Sequence, residues 1–251
     1  MKDILSLEVL LFKICKMCKK SIKKNIFFNY VLYFCNKYKM FNFAKYQEIQ
    51  EKIKKSGKKT EIVAISKNHS KEKIMQAIIK KVNIFGENRV QEASEKFADF
   101  LTKEKTIELH LTGPLQTNKA KQALDIFDVF HTLDREKLLK ELCKYPEKIQ
   151  NKKFFIQVNT GKEESKSGIF PENVKNFLSL CERYGIKKVE GLMCIPPIND
   201  DPKKHFNLIK NISTDLGLGG LSIGMSSDYL DALEFNPTYI RLGTILFGER
   251  K

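Results

Sequence analysis

From residue 60 onward the chain alternates between short apolar runs and amphipathic segments, and this alternation limits the fold more than any other feature. Amphipathic segments with helical spacing of apolar residues lie between consecutive runs, and strands that alternate with helices predict parallel βαβ units. The eight runs are 60–66 (TEIVAIS), 82–87 (VNIFGE), 107–113 (IELHLTG), 128–134 (DVFHTLD), 154–160 (FFIQVNT), 189–195 (VEGLMCI), 221–225 (LSIGM) and 239–248 (YIRLGTILFG).

Eight βαβ units in about 190 residues predict a closed (β/α)8 barrel, the TIM barrel of the α/β class. An open doubly wound sheet is the alternative. No GxGxxG motif follows the first run and the sequence contains no P-loop, so the usual nucleotide-binding forms of that alternative lack their phosphate loops. A further helix is predicted in front of the first strand, from Met40 to the helix-ending Gly57.

Residues 1–39 differ from the rest of the chain. They contain no Gly and no Pro, and they carry nine lysines against Asp3 and Glu8. Their apolar runs are too short to cross a bilayer, and no small-residue cleavage site follows them. We predict that 1–39 is an atypical basic extension, either disordered or not native, and that 40–251 is the barrel domain. A genuine helical arm is the alternative.

The net charge of +15 raises the question of a nucleic acid or membrane partner. Beyond the extension, however, the lysines alternate with acidic residues in helical segments, which is typical of a solvated surface. No nucleic-acid-binding motif is present. We therefore predict neither nucleic acid nor membrane binding, and a nucleic acid or membrane surface bound by 1–39 is kept as an alternative hypothesis.

The cysteines indicate neither a metal site nor disulfides. Cys15 and Cys18 form a lone CxxC, which lacks the second ligand pair that a structural zinc site needs. Cys143, Cys181 and Cys194 lie in apolar contexts typical of buried thiols. We predict no metal site and a reducing, cytoplasmic compartment.

Functional residues of a (β/α)8 barrel lie at the carboxyl ends of its strands. Those ends offer Lys67 after the first run, the small-residue turns 224–227 (GMSS) and 241–244 (RLGT), and few other reactive groups. Two mid-strand histidines, His110 and His131, are predicted to pack or to form hydrogen bonds rather than to bind a metal.

This set of residues suits a small molecule that carries both a phosphate and an aldehyde. A lysine amine at the barrel mouth can form a Schiff base with an aldehyde. The two turns allow backbone N–H groups to approach a phosphate, and a helix that starts after GMSS adds its positive dipole end. Pyridoxal 5′-phosphate has both groups. From the strand pattern alone, Lys67 as an ordinary surface lysine remains the alternative.

At these residues the sequence resembles the pyridoxal phosphate homeostasis proteins, a single-domain family with a barrel of the alanine racemase N-terminal type. The resemblance covers residues 60 to 250 in family order. Its stretches are VAISK (63–67), FGENRVQEASEK (85–96), HLTGPLQTNKAK (110–121), HTLDR (131–135), IQVNTGKEESKSG (156–168), GLMCIPP (191–197), LSIGMSSDYLDAL (221–233) and RLGTILFGER (241–250).

The resemblance implies pyridoxal 5′-phosphate as the cofactor, with Lys67 carrying it as an internal aldimine and Arg241 near the pyridine nitrogen. It implies no catalytic residue. The other cofactor-binding residues that it implies are Met225, Ser226, Gly243 and Thr244 at the phosphate, and Asn88 and Asn118 beside the cofactor.

The implied function is intracellular homeostasis of pyridoxal phosphate by binding, buffering or delivery, without efficient amino-acid turnover. An arginine beside the pyridine nitrogen stays charged and makes the cofactor a weaker electron sink. Racemases of this barrel type add a base from a carboxyl-terminal β domain, and we expect none here because the sequence ends at Lys251. A monomer that serves pyridoxal-phosphate-dependent apoenzymes is expected, and a racemase-like enzyme is the alternative.

Overall fold

Eight parallel strands form a closed barrel in the computed structural model, which describes residues 41–103 and 106–249. The strands pair in chain order and the last pairs with the first. This arrangement confirms the predicted (β/α)8 barrel, and the open doubly wound alternative is wrong. The strands are β1 (Glu61–Ile65), β2 (Ile84–Glu87), β3 (Glu108–Leu111), β4 (Val129–Leu133), β5 (Lys153–Val158), β6 (Val189–Cys194), β7 (Gly220–Ser222) and β8 (Tyr239–Leu242).

Helices follow the strands in the predicted alternation. The helix predicted before the first strand is α1 (Phe43–Lys55), and Gly57 follows its end with a positive φ of 69°. The others are α2 (Lys71–Ile79), α3 (Val90–Lys103), α4 (Ala120–Ile126), α5 (Glu136–Leu142), α6 (Pro146–Ile149), α7 (Val174–Arg183), α8 (Pro202–Asp215), α9 (Tyr229–Leu233) and α10 (Thr244–Phe247), with short 3₁₀ turns at Thr117–Lys119 and Pro171–Asn173.

The amino-terminal extension predicted for residues 1–39 lies outside the described residues, so the boundary at residue 40 stays a prediction. From Phe41 onward the described residues belong to one compact unit. None of the helices in the described part of the chain is long and apolar enough to cross a membrane.

The eighth apolar run does not form one strand along its whole length. Strand β8 ends at Leu242, which pairs with Ala64, and Thr244–Phe247 forms α10 instead. Leu246 and Phe247 of α10 are fully buried, and the rings of Phe247 and Phe41 lie 5.0 Å apart. Gly243 and Thr244, predicted within the strand, therefore follow it and lie at the carboxyl end of the barrel.

Two apolar clusters divide the core, and the strand alternation explains the division. In β1, Val63 and Ile65 belong to the cluster inside the barrel, whereas Ile62 and Ala64 face the helices. The ladder continues one residue beyond β1 through the bond from Ser66 N–H to the Gly86 carbonyl (3.0 Å). By this alternation we expect Lys67, the residue after Ser66, to lie on the inner side, at the barrel mouth.

Candidate functional site

The strand register brings the residues around Lys67 next to the turn after β8. Ala64 pairs with Leu242, so Gly243 lies beside Ile65, and a Cβ added to Gly243 would be 3.5 Å from the Ile65 Cβ. Lys67 itself is partly buried in the turn that follows β1. The turn at residues 67–68, called the lysine turn, and the RLGT turn at 241–244 are therefore neighbours at the carboxyl end of the barrel.

The GMSS turn after β7 joins the same group. Its Gly224 has a positive φ of 88°, and a Cβ there would lie 2.6 Å from the Ala232 Cβ, so both the backbone and the space favour glycine. The Gly224 carbonyl accepts a bond from the Arg241 N–H (2.8 Å), and the Ser226 Oγ accepts one from the Ile245 N–H (3.4 Å). Ser226 thus meets the first turn of α10 at its amino end.

The neighbours of Ser226 differ in exposure. Met225 and Ser226 are half-buried, whereas Thr244 is exposed and Gly243 is buried. The Met225 N–H donates to the Asp228 carboxylate, which fixes the course of the turn before α9. Backbone and hydroxyl donors therefore line one partly open edge between β7 and β8.

Arg241 lies inside the barrel and is 5% exposed. Its Nη1 donates to the Ser222 carbonyl (2.6 Å) and to the Ser222 Oγ (2.7 Å), and its Nη2 donates to the Cys194 carbonyl (2.9 Å). Burial lowers the pKa of Arg241, but an arginine remains protonated at physiological pH. A fixed positive charge therefore lies below the barrel mouth.

The two predicted asparagines occupy different surroundings. Asn88 follows β2, is half-buried and accepts a hydrogen bond from the Thr112 Oγ1 (3.0 Å). Gly113 passes so close that a Cβ there would lie 2.5 Å from the Asn88 carbonyl oxygen. Asn118 lies in the 3₁₀ turn after β3, two strands away from β1, and is exposed. The structure brings Asn88 next to the lysine turn and leaves Asn118 farther round the rim.

A buried ion pair beside Lys67 was not predicted from the sequence. Glu87 is fully buried at the end of β2, where its Oε1 accepts bonds from the Ser66 Oγ (2.7 Å) and from Lys96 Nζ (3.0 Å). Lys96 also donates to the Ser66 carbonyl (2.8 Å). Burial raises the pKa of Glu87, and the Lys96 charge opposes that rise. The hydroxyl and the carbonyl of Ser66, the residue before Lys67, are thereby held.

The residue after Lys67 is held as well. Asn68 has a positive φ of 60°, and its N–H donates to the Glu92 carboxylate (2.5 Å). Glu92 in turn accepts a bond from Lys96, four residues along α3. The sequence FGENRVQEASEK shows that Glu92 and Lys96 are four residues apart on a helix, which predicts an ion pair between them. Only the tertiary fold reveals that this pair also holds the lysine turn.

Comparisons with known proteins agree with this fold and this arrangement. The profile of the family described as "Alanine racemase, N-terminal domain" matches residues 43–251. The pyridoxal phosphate homeostasis protein of Vibrio cholerae is 34% identical over 218 residues, which are 82% of this chain and 92% of that protein. The chain belongs to the pyridoxal phosphate homeostasis protein family. The protein of the same description in Aquifex aeolicus is 38% identical over 182 residues, covering 68% of this chain and 78% of that relative.

Solved structures of similar proteins share the barrel. PipY of Synechococcus elongatus, solved without PLP, superposes with a TM-score of 0.70 at 33% identity and covers 76% of this chain and 93% of its own. PipY with PLP bound gives a TM-score of 0.67 at 32% identity, with the same coverage of both chains. Alanine racemase of Clostridium difficile gives 0.61 at 14% identity over 76% of this chain and 52% of that enzyme, which shows a common fold alone.

Proposed function

We propose that this protein binds pyridoxal 5′-phosphate at the carboxyl end of its barrel and serves the homeostasis of that cofactor by binding, buffering or delivering it. One observation carries the proposal. A buried guanidinium on β8 lies close to a lysine amine and to hydroxyl and amide donors in the turns that follow the adjacent strands β7, β8 and β1. The family membership and the PLP-bound structure of PipY support the same ligand.

The chemistry of these donors fits both ends of the cofactor. The hydroxyls of Ser226 and Thr244, with the amide groups of the turn after β8, suit a phosphate, because charge-assisted hydrogen bonds to anions are strong. Gly243 keeps this turn close to β1. When bound, the cofactor supplies an aldehyde, which the Lys67 amine can hold covalently.

Lys67 is positioned by its neighbours in the chain. The Glu87–Lys96 pair holds Ser66 on one side, and Glu92 holds the Asn68 amide on the other. These contacts restrict the backbone on both sides of Lys67. Lys67 therefore loses less conformational entropy when it binds the cofactor. Asn88 would border the cofactor from β2, and Asn118 would make at most a contact at the rim.

The position of Arg241 supports binding rather than turnover. A guanidinium that remains charged disfavours a second positive charge on a nearby pyridine nitrogen, and an unprotonated ring is a weaker electron sink. We infer that the protein stores or delivers the cofactor without efficient amino-acid chemistry. Action in the cytoplasm as a monomer, with pyridoxal-phosphate-dependent apoenzymes as acceptors, belongs to the same proposal.

Two measurements on the purified protein test this function. Titration with pyridoxal 5′-phosphate, followed by visible absorbance, is expected to saturate at one cofactor per chain. Incubation with either enantiomer of alanine is expected to give no racemisation above that of the same concentration of cofactor alone. Failure to bind would remove the proposal, and substantial racemisation would favour the racemase-like enzyme.

A further inference from the structure

We propose, building on the cofactor site above, that His110 and His131 are positioning residues for that site: with Ser222 they form a hydrogen-bonded chain of fixed direction that holds the Arg241 guanidinium in place. The chain crosses the inside of the barrel from Arg241 to Glu108 at the amino-terminal end.

The chain consists of four consecutive hydrogen bonds. Arg241 Nη1 lies 2.7 Å from Ser222 Oγ, which lies 2.7 Å from His131 Nδ1. His131 Nε2 lies 2.9 Å from His110 Nδ1, and His110 Nε2 lies 2.7 Å from Glu108 Oε1. The links join β8, β7, β4 and β3, so they cross the interior rather than follow the wall of the barrel.

The two ends of the chain determine which atom donates in every bond. An ionised carboxylate only accepts, so His110 must donate to Glu108 from Nε2. A neutral His110 then accepts at Nδ1, and His131 must donate from its own Nε2. His131 in turn accepts at Nδ1 from the Ser222 hydroxyl, whose oxygen accepts from Arg241. Every bond points from the arginine towards the carboxylate, and both imidazoles carry their proton on Nε2.

The surroundings favour neutral imidazoles. Burial lowers the pKa of both histidines; the Arg241 charge lowers the pKa of His131 further, whereas Glu108 acts in the opposite direction on His110. The hydrogen bond from His110, together with Lys153, lowers the pKa of Glu108 to about 2. The chain therefore separates one positive charge at Arg241 from one negative charge at Glu108.

Aromatic rings hold both imidazoles in one orientation. The Phe155 ring stacks on His131 with centroids 5.1 Å apart and planes at 11°, and the Tyr239 ring meets His110 edge-on at 4.8 Å. Both histidines are fully buried, and only Glu108, with 30% of its side chain exposed, reaches solvent at the far end. A rotation of either imidazole would break bonds at both of its nitrogens, so the Ser222 hydroxyl is held towards Arg241.

Nitrogen-15 NMR of the protein without cofactor tests the direction of the chain. Both His110 and His131 are expected to show the neutral tautomer with the proton on Nε2. A proton on Nδ1 of either residue, or a doubly protonated ring at neutral pH, would overturn the proposed direction. This readout does not depend on cofactor binding. It therefore tests the hydrogen-bonded chain separately from the proposed function.

Binding measurements test the positioning role. His131→Leu removes the acceptor for Ser222 and is expected to weaken cofactor binding about tenfold and to shift the absorbance of the bound cofactor. His131→Asn keeps an acceptor near the Nδ1 position and is expected to restore most of the affinity. Val129→Ala, which removes volume from the same interior face of β4, is expected to lower stability without changing the absorbance.

Wild-type affinity and absorbance in His131→Leu would overturn the positioning role, and so would equal losses in the Leu and Asn variants. If His131→Leu does not fold, Ser222→Ala provides the same test, because it removes the hydroxyl between the imidazole and the guanidinium. Its expected result is the same absorbance shift. If the wild-type protein binds no cofactor, the proposed function fails, and the positioning role fails with it.

Discussion

The interior of the barrel and its carboxyl-terminal rim contain similar polar groups, which are buried in the interior and partly or fully exposed at the rim. In the interior, Arg241 is buried and its guanidinium donates three hydrogen bonds to protein oxygens. At the rim, Lys67 and Ser226 are half-buried and Thr244 is exposed. The interior groups are held by the protein itself, whereas the rim groups are accessible to a small molecule.

Because of this contrast, we expect substitutions in the interior and at the rim to differ in their effects on the free energy of unfolding. An unpaired polar group in a protein interior costs about 1–3 kcal/mol, so changes in the interior should lower the free energy of unfolding. Removal of a polar side chain at the rim should leave that free energy nearly constant and should act on cofactor affinity. Four pairs of variants test this separation.

Arg241→Leu is expected to have the largest effect on stability. It leaves the Ser222 and Cys194 carbonyls without their buried donor, which should lower the free energy of unfolding by about 3 kcal/mol. Thr244→Val at the rim is the matched control, with an expected change within about 0.5 kcal/mol. Urea denaturation compares the two, and equal stability of both variants would remove the distinction between interior and rim.

Lys96→Met is expected to lower the free energy of unfolding by about 2 kcal/mol at pH 8, and by less at pH 5. Burial raises the pKa of Glu87 in the folded state, so folding favours the protonated carboxyl, and stability is lost as the pH rises through that folded-state pKa. Removal of the Lys96 charge raises this pKa further and extends the loss to higher pH.

Lys71→Met is the control for this pH dependence, because Lys71 forms an exposed ion pair with Asp99. It should change the free energy of unfolding by less than about 0.5 kcal/mol at both pH values. A loss in Lys96→Met that is independent of pH would show that Glu87 is not the group responsible.

Gly224→Ala is expected to affect the rim through the backbone. Its positive φ makes alanine strained by about 1 kcal/mol, and the added Cβ would also contact Ala232 at 2.6 Å, which displaces the GMSS turn. Gly217→Ala carries the same strain with no atom within 4 Å of the added Cβ. Cofactor titration should give affinity about tenfold weaker for Gly224→Ala and unchanged affinity for Gly217→Ala.

Ser226→Ala is expected to have the smallest effect. The loss of one hydroxyl donor to a phosphate should weaken cofactor binding about fivefold, with no measurable change in unfolding. The neighbouring exposed Ser227 provides the control, since Ser227→Ala should bind as the wild type does. Equal affinity of both variants would place the phosphate away from Ser226.

The sequence predicted the fold because its signals are local. Each strand and helix has its own apolar spacing, and eight repeats of one pattern predict a barrel. The run 239–248 marks the limit of such signals: its apolar residues do not reveal that pairing with β1 stops at Leu242 and that a helix follows. Apolar content alone does not distinguish a short buried strand from a short buried helix.

The candidate cofactor site could be predicted from the sequence only in part. Lys67 and the RLGT turn follow from strand ends, which the sequence locates. The Glu87–Lys96 pair and the bond between His110 and His131 depend instead on which side chains face each other across different strands and helices. These contacts join distant parts of the chain, so local spacing carries no signal for them.

The most direct test of the account is the attachment point of the cofactor. The wild-type protein, loaded with pyridoxal 5′-phosphate, is reduced with borohydride, digested and mapped by mass spectrometry, beside Lys67→Ala and Lys71→Ala. We predict one reduced adduct per chain on Lys67 in the wild type and in Lys71→Ala, and no stoichiometric adduct on any lysine in Lys67→Ala. An adduct spread over surface lysines, unchanged by Lys67→Ala, would contradict it.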